Sequence, residues 1–133
     1  YEKLNPDIQK RIKFLGYISN EELVALYGRA KIFVAPSLHE GFGLIILEAL
    51  ASGTPVVTSA RGAIPEIFGD SVEYADPLYP HDIAEKIKLL LENEEKYKKL
   101  INYGLEYSKQ YDIKKAALQY LKIFSNLNEK IKK

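Results

Sequence analysis

The sequence predicts an α/β fold: a Rossmann-like parallel sheet with helices on both faces, incomplete, followed by C-terminal helices. Two observations carry this expectation. Four short apolar runs, at residues 12–15, 32–35, 56–58 and 72–75, read as buried strands, and helical patterns separate the first three. Strand, helix, strand repeated in this way calls for right-handed crossovers between parallel strands. Beyond residue 75 no further strand pattern recurs, and three helical stretches follow.

Taken in order, the run at 12–15 is the first expected strand. Ser19-Asn20-Glu21-Glu22 then reads as a capping box, with Leu23, Leu26, Tyr27 and Ala30 at helical spacing behind it. The run at 32–35 is the second strand. A helix is expected from Leu44 to Ala51, ended by Ser52-Gly53 and closed off by Pro55. This helix is apolar on nearly all sides and is expected to be buried, which makes Glu48, its one charge, costly unless something donates to it. Strands at 56–58 and 72–75 complete the sheet. A helix from about Pro80 to Glu92 carries Ile83, Ile87, Leu90 and Leu91, with Pro80 suited to its first turn. Another covers about residues 94–109. The last starts near Asp112, a candidate N-cap, and aligns Ile113, Ala117, Tyr120, Leu121, Phe124, Leu127 and Ile131 on one face that requires a packing partner.

Composition narrows the function classes. The chain has 133 residues, 47% hydrophobic and 28% charged, enough for one compact domain with its own core. Zero cysteines exclude disulfides, iron–sulfur clusters and thiol catalysis. His39 and His81 lack the ligand spacing of a structural zinc site, and no Asp-x-Asp triplet is present, so neither a metal nor a cofactor is expected. A net charge of +1 argues against a nucleic-acid partner. Residues 1–75 hold 7 basic and 9 acidic side chains, residues 76–133 hold 12 and 9, and Lys130, Lys132 and Lys133 read as a solvated helix end. No apolar run approaches the roughly 20 residues of a bilayer span, so a cytoplasmic location, with peripheral membrane contact left open, is the expectation. Tyr1 in first place and the absence of Met suggest a piece of a longer polypeptide.

The segment from Pro36 to Gly53 concentrates the chemistry. It follows a strand's carboxyl end, where open parallel sheets bind ligands. Gly41 and Gly43 allow close backbone approach, and the helix that they introduce turns its free N–H groups and positive dipole end toward the crevice, suited to an anion such as a diphosphate. Glu40 and Glu48 read either as structural carboxylates or as acceptors for ligand hydroxyls. Eight residues of helix would rise roughly 12 Å, a poor match to the roughly 5–9.5 Å between the acid and base of a glycoside hydrolase. Two positioning carboxylates gripping two ends of one ligand fit better.

At this point the residues resemble the retaining, nucleotide-sugar-dependent glycosyltransferases of the GT-B fold, the group 1 type. The family signature is a Glu, seven residues and a second Glu, matched by Glu40 and Glu48. The context agrees: Phe33-Val34-Ala35-Pro36-Ser37 before it, Glu40-Gly41-Phe42-Gly43-Leu44 within it, and Glu48-Ala49-Leu50-Ala51-Ser52-Gly53-Thr54-Pro55-Val56-Val57 after it. Gly62-Ala63-Ile64-Pro65-Glu66 resembles the family's Gly-Gly-x-Pro-Glu, with Ala63 in place of the commoner second glycine. The resemblance implies that Glu40, the catalytic candidate, contacts hydroxyls of the donor sugar. It also implies that backbone N–H groups around Gly41, Phe42, Gly43 and Leu44 hold sugar and diphosphate oxygens, and that Glu48 accepts from the ribose. Gly16 and Tyr17 would border the base, or simply pack as loop. His39 does not match the family's functional histidine, which lies in another domain. The implied partners are a UDP-, GDP- or ADP-sugar, an acceptor and an N-terminal domain of the same chain. The whole of residues 1–133 would be the distal part of a donor-binding domain, with strand–helix units in 1–76 and a helical tail in 77–133. Sugar-nucleotide epimerisation, or a non-catalytic sugar-nucleotide-binding or scaffold module, are the alternatives.

Overall fold

The computed structural model describes residues 2–131, so Lys132 and Lys133 lie outside the described residues, as do the side chains of Lys130 and Ile131. Among the described residues, three strands, β1 (Phe33–Ala35), β2 (Val56–Ser59) and β3 (Glu73–Ala75), form a parallel sheet in the order β1-β2-β3. Around them run α1 (Pro6–Gln9), α2 (Asn20–Arg29), α3 (Leu44–Ala51), α4 (Ile64–Phe68), α5 (Pro80–Glu92), α6 (Glu94–Ser108) and α7 (Ile113–Ile131). A single 3₁₀ turn, Gly69–Ser71, links α4 to β3. This is the α/β, Rossmann-like architecture with C-terminal helices that the sequence predicts.

Alternation along the strands divides the core. Phe33, Ala35, Val56 and Tyr74 face one side, where Tyr27, Ile46, Ala49, Leu50, Ile64 and Phe68 cover them. Ile32, Val34, Val57 and Ala75 face the other, covered by Ile83, Ile87, Leu90, Tyr97 and Leu100. The second face includes an ionic element: Glu73, 9% exposed, receives Lys86 at 3.2 Å and Lys96 at 2.6 Å.

Helix boundaries follow local signals. The Ser19 hydroxyl accepts from the Glu22 amide and the Glu22 carboxylate accepts from the Ser19 amide, completing the capping box of α2. Asn93 caps α6 through its side chain on the Lys96 amide, and Asp112 accepts from the Lys114 amide at the start of α7.

Three expectations are corrected. Residues 12–15 form no strand; the described strands pair only with one another, and Ile12, Phe14 and Leu15 are exposed at 38%, 78% and 53%. A strand exists only where a second backbone receives its hydrogen bonds, and an apolar run supplies no such partner by itself. Next, α3 is not buried all round: Ile46, Ala49 and Leu50 are buried, whereas Leu44, Ile45 and Glu48 are exposed. Only one side of that helix meets the sheet and α6. Finally, the apolar face of α7 is expected to pack partly on the sheet layer or to await a domain beyond this chain; Ile113, Tyr120, Leu121, Phe124 and Leu127 are all exposed, so the first alternative does not hold among the described residues. Leu91 likewise points away from the α5 stripe and is exposed.

Candidate functional site

Residues 36–43 connect the carboxyl end of β1 to α3 and are held from three directions. The Ser59 hydroxyl, at the end of β2, donates to the Ser37 carbonyl. The Ala63 amide donates to the Glu40 carbonyl at 3.2 Å. The ring of Phe68, from α4, sits against Gly43, where an added Cβ would meet its Cε2 at 3.0 Å. Gly43 has φ +86 and occupies the N-cap position of α3 with no side-chain cap. Left-handed backbone there requires glycine. The first turn of α3 therefore offers N–H groups that no side chain has claimed, together with the positive end of the helix dipole.

Glu40 is half-buried in this loop and Glu48 is exposed one turn into α3. Glu48 is not left to itself: the Tyr27 hydroxyl donates to its Oε2 at 3.3 Å. Tyr27 is 6% exposed, stacked edge-on to Phe33 with centroids 5.2 Å apart. Burial, then the neighbouring Glu48 charge, raises the tyrosine pKa above its ordinary value, so the hydroxyl stays a donor at neutral pH. The exposure of Glu48 removes the desolvation cost anticipated for a buried carboxylate.

The loop after β2 leans on Glu40 from behind. Gly62 has φ +59, and a Cβ there would stand 2.6 Å from the Glu40 carbonyl oxygen. Beyond it, Arg61 lies 3.8 Å from Asp76 across the carboxyl ends of β2 and β3, beside a small cleft of about 310 Å³. A larger cleft of about 840 Å³, walled by Glu73, Lys86, Lys96, Lys99 and Tyr103, lies outside β3 and shares no lining residue with the loop.

Carboxylates that accept hydroxyls, beside free amides at a helix N-terminus, suit a ligand with a hydroxylated part and an anionic part. Residues 1–107 match the family described as glycosyl transferases group 1. The chain belongs to that family. It is 37% identical over 116 residues to the O-antigen chain mannosyltransferase B of Escherichia coli, covering 87% of this chain and 30% of that protein. Its fold matches sucrose-phosphate synthase from Thermosynechococcus elongatus with a TM-score of 0.83 and 28% identity, over 92% of this chain and 32% of the other. It also matches Anabaena HepE, solved in complex with UDP and glucose, with a TM-score of 0.81 and 23% identity, over 90% of this chain and 33% of the other. The chain thus spans about a third of the length of these relatives, and its architecture is that of GT-B glycosyltransferases.

Within this group 1 glycosyltransferase fold, Glu40, Gly41, Phe42, Gly43, Leu44 and Glu48 lie along one loop and the first turns of one helix. Gly16 and Tyr17 stand apart, in the segment before α2. Gly16 has φ +64 and Tyr17 is fully exposed, and neither is joined to the loop by a hydrogen bond or ring contact among the described residues. Sequence reasoning missed Tyr27, Ser59 and Gly62 as supports of the loop. Tyr27 carried a usable signal: a tyrosine on the apolar face of a helix needs a partner for its hydroxyl. Gly62 stood out as the first glycine of the Gly62-Ala63-Ile64-Pro65-Glu66 segment, but nothing local pointed to its contact with a carbonyl 22 positions earlier. Among the described residues no helix is long and apolar enough to cross a membrane.

Proposed function

We propose that this chain supplies the donor-binding half of a glycosyltransferase that moves a sugar, with retention, from a nucleotide-activated donor to an acceptor. One observation carries the reading: a loop holding Glu40 delivers glycine-flanked amides into the uncapped start of α3, one turn before Glu48. Glu40 accepts from hydroxyls of the donor sugar. The amides of Gly41 to Leu44 take sugar and diphosphate oxygens, and the α3 dipole steadies the charge that develops on the departing diphosphate. Glu48, held by Tyr27, accepts from the ribose, and Gly16-Tyr17 borders the base. HepE, a fold neighbour solved with UDP and glucose, supports a nucleotide-activated sugar as the donor. The acceptor would be bound by an N-terminal domain of a longer polypeptide, which would work in the cytoplasm, free or peripheral to a membrane; metal and cofactor are not required by this scheme.

The test has two stages. Amide NMR titration of this chain with UDP-, GDP- and ADP-sugars at millimolar concentration is expected to shift Gly41 to Leu44 and the neighbourhood of Glu48 for one base. In the longer polypeptide, Glu48→Gln should weaken donor binding by about tenfold to a hundredfold, the loss of one charge-assisted contact, and Glu40→Ala should abolish transfer. A longer polypeptide that binds nucleotide sugars and only epimerises or hydrolyses them refutes the transferase reading.

A further inference from the structure

The loop that carries Glu40 has a handle on its outer side. Phe42 stands between Gly41 and Gly43, and a Cβ at Gly41 would meet nothing within 4 Å, so on that stretch the Phe42 ring is the side chain through which the fold can grip the backbone. Two aromatic edges grip it. Phe68 lies 6.4 Å away at 65° and Tyr111 lies 5.5 Å away at 79°, both T-shaped. Phe68 is 1% exposed and belongs to the core. Tyr111 does not: it is 40% exposed, comes from the short turn between α6 and α7, and its ring meets the rings of Phe42 and Tyr107. The turn is fixed by the Tyr111 amide on the Ser108 carbonyl at 3.0 Å. The Tyr107 and Tyr111 hydroxyls pair at 2.8 Å, and Tyr107 is itself seated on Phe68 at 6.1 Å. Burial and that hydroxyl pair raise the Tyr107 pKa well above its ordinary value.

A half-exposed tyrosine outside the core, aimed at one loop and locked by a second tyrosine, does little for global packing. Its ring instead removes the freedom of Phe42 to swing outward, which would carry the amides of Gly41 and Gly43 with it. We infer that Tyr111 is a positioning residue for the donor loop, acting through the Phe42 ring, with Tyr107 orienting it. This rests on the proposed role of residues 40–44. It makes the start of α7, two residues beyond Tyr111, mechanically continuous with that loop.

The test uses this chain and two independent readouts. Hydrogen exchange and amide shifts of residues 41–44 are measured without ligand in Tyr111→Ala, Tyr111→Phe and Tyr107→Phe, beside thermal unfolding. In Tyr111→Ala, exchange at 41–44 should accelerate about fivefold, the local opening equivalent of one lost aromatic pair, while exchange in β2 and Tm stay near wild type. Tyr111→Phe and Tyr107→Phe each keep both rings and break the same hydroxyl pair, so both should stay within about twofold of wild type. UDP, GDP and ADP titrations then report function: whichever nucleotide shifts the wild-type loop should bind Tyr111→Ala about threefold to tenfold more weakly and Tyr111→Phe normally. Unchanged loop exchange in Tyr111→Ala, or equal opening in Tyr111→Phe, overturns the inference. If loop exchange responds as expected but no nucleotide shifts the wild-type loop, the clamp stands and the donor-site reading loses its support.

Discussion

Replacing Gly62 by alanine puts a methyl group where the fold has no space for one. The residue sits at φ +59, and its new Cβ would stand 2.6 Å from the Glu40 carbonyl oxygen and 3.1 Å from the Glu40 amide nitrogen. Both neighbours are backbone, so neither can rotate away. Left-handed backbone alone costs an L-residue about 1 to 2 kcal/mol. Relief of the contact pushes the Glu40 peptide outward and stretches the 3.2 Å bond from the Ala63 amide, a further loss of about 0.5 to 1.5 kcal/mol. The sum, about 1.5 to 3.5 kcal/mol, corresponds to a fall in Tm of about 5 to 14 °C for a chain of this size. Circular dichroism melts at pH 7 measure it, with Gly16→Ala as the control. Gly16 has nearly the same φ, +64, but a Cβ there meets nothing within 4 Å, so it reports strain without collision. If Gly62→Ala is no more destabilising than Gly16→Ala, the close approach of the two loops is not what demands glycine, and the reasoning fails.

Tyr27→Phe keeps the ring on Phe33 and removes the hydroxyl from Glu48; a stability loss of about 0.5 to 1 kcal/mol is expected in urea unfolding, and no loss at all would mean that the 3.3 Å contact contributes nothing. Glu73→Gln leaves Lys86 and Lys96 without their shared carboxylate. The expected cost is about 1 to 2 kcal/mol, below that of a fully buried pair because the two lysine side chains retain 33% and 35% exposure; a neutral result in thermal melts would show the lysines free to swing into water. Alkaline pH should weaken the fold. Tyr27, Tyr74 and Tyr107 all have raised pKa values, burial being the first cause of each, whereas unfolded tyrosines ionise near 10. Above about pH 10 the unfolded chain therefore releases protons that the folded chain retains, so stability that is whole at lower pH is lost as pH rises through that value. Urea midpoints between pH 8 and 11 should drop less in Tyr107→Phe than in wild type, and parallel curves would exclude Tyr107 as a contributor.

Local signals in the sequence located local structure well. The capping box at Ser19 and Glu22, Pro80 at a first turn, and Gly53 behind α3 each specify a helix end through neighbours a few residues away, and the helices stand where those residues say. Residues 12–15 show the limit: their apolar run is a statement about burial, and a strand is a statement about pairing. Glu48 shows a second limit. The run of apolar residues around it in α3 reads as all-round burial, yet a helix is covered only where another element approaches, and Leu44 and Ile45 face outward with it. For the candidate site, the order of Glu40, the glycines and α3 was legible because one short stretch contains them. The supports from Tyr27, Ser59, Gly62 and Tyr111 were not, since each reaches the stretch from a distant segment whose placement only the folded chain defines.

One contact on the far side of α3 has a bearing on engineering. A Cβ at Gly104, in α6, would fall 2.7 Å from Cδ2 of Leu50. The two helices are therefore spaced by hydrogen on one side and a leucine on the other, and neither residue can be enlarged alone. Gly104→Ala, ordinarily a helix-stabilising exchange of about 1 kcal/mol, here becomes favourable only in combination with a smaller residue at position 50. A double-mutant cycle over the pair would show coupling rather than additivity. Any effort to stiffen α6 by removing its glycine also displaces the helix that bears Tyr107, so gains in thermal tolerance sought there would be drawn from the placement of the loop at its end.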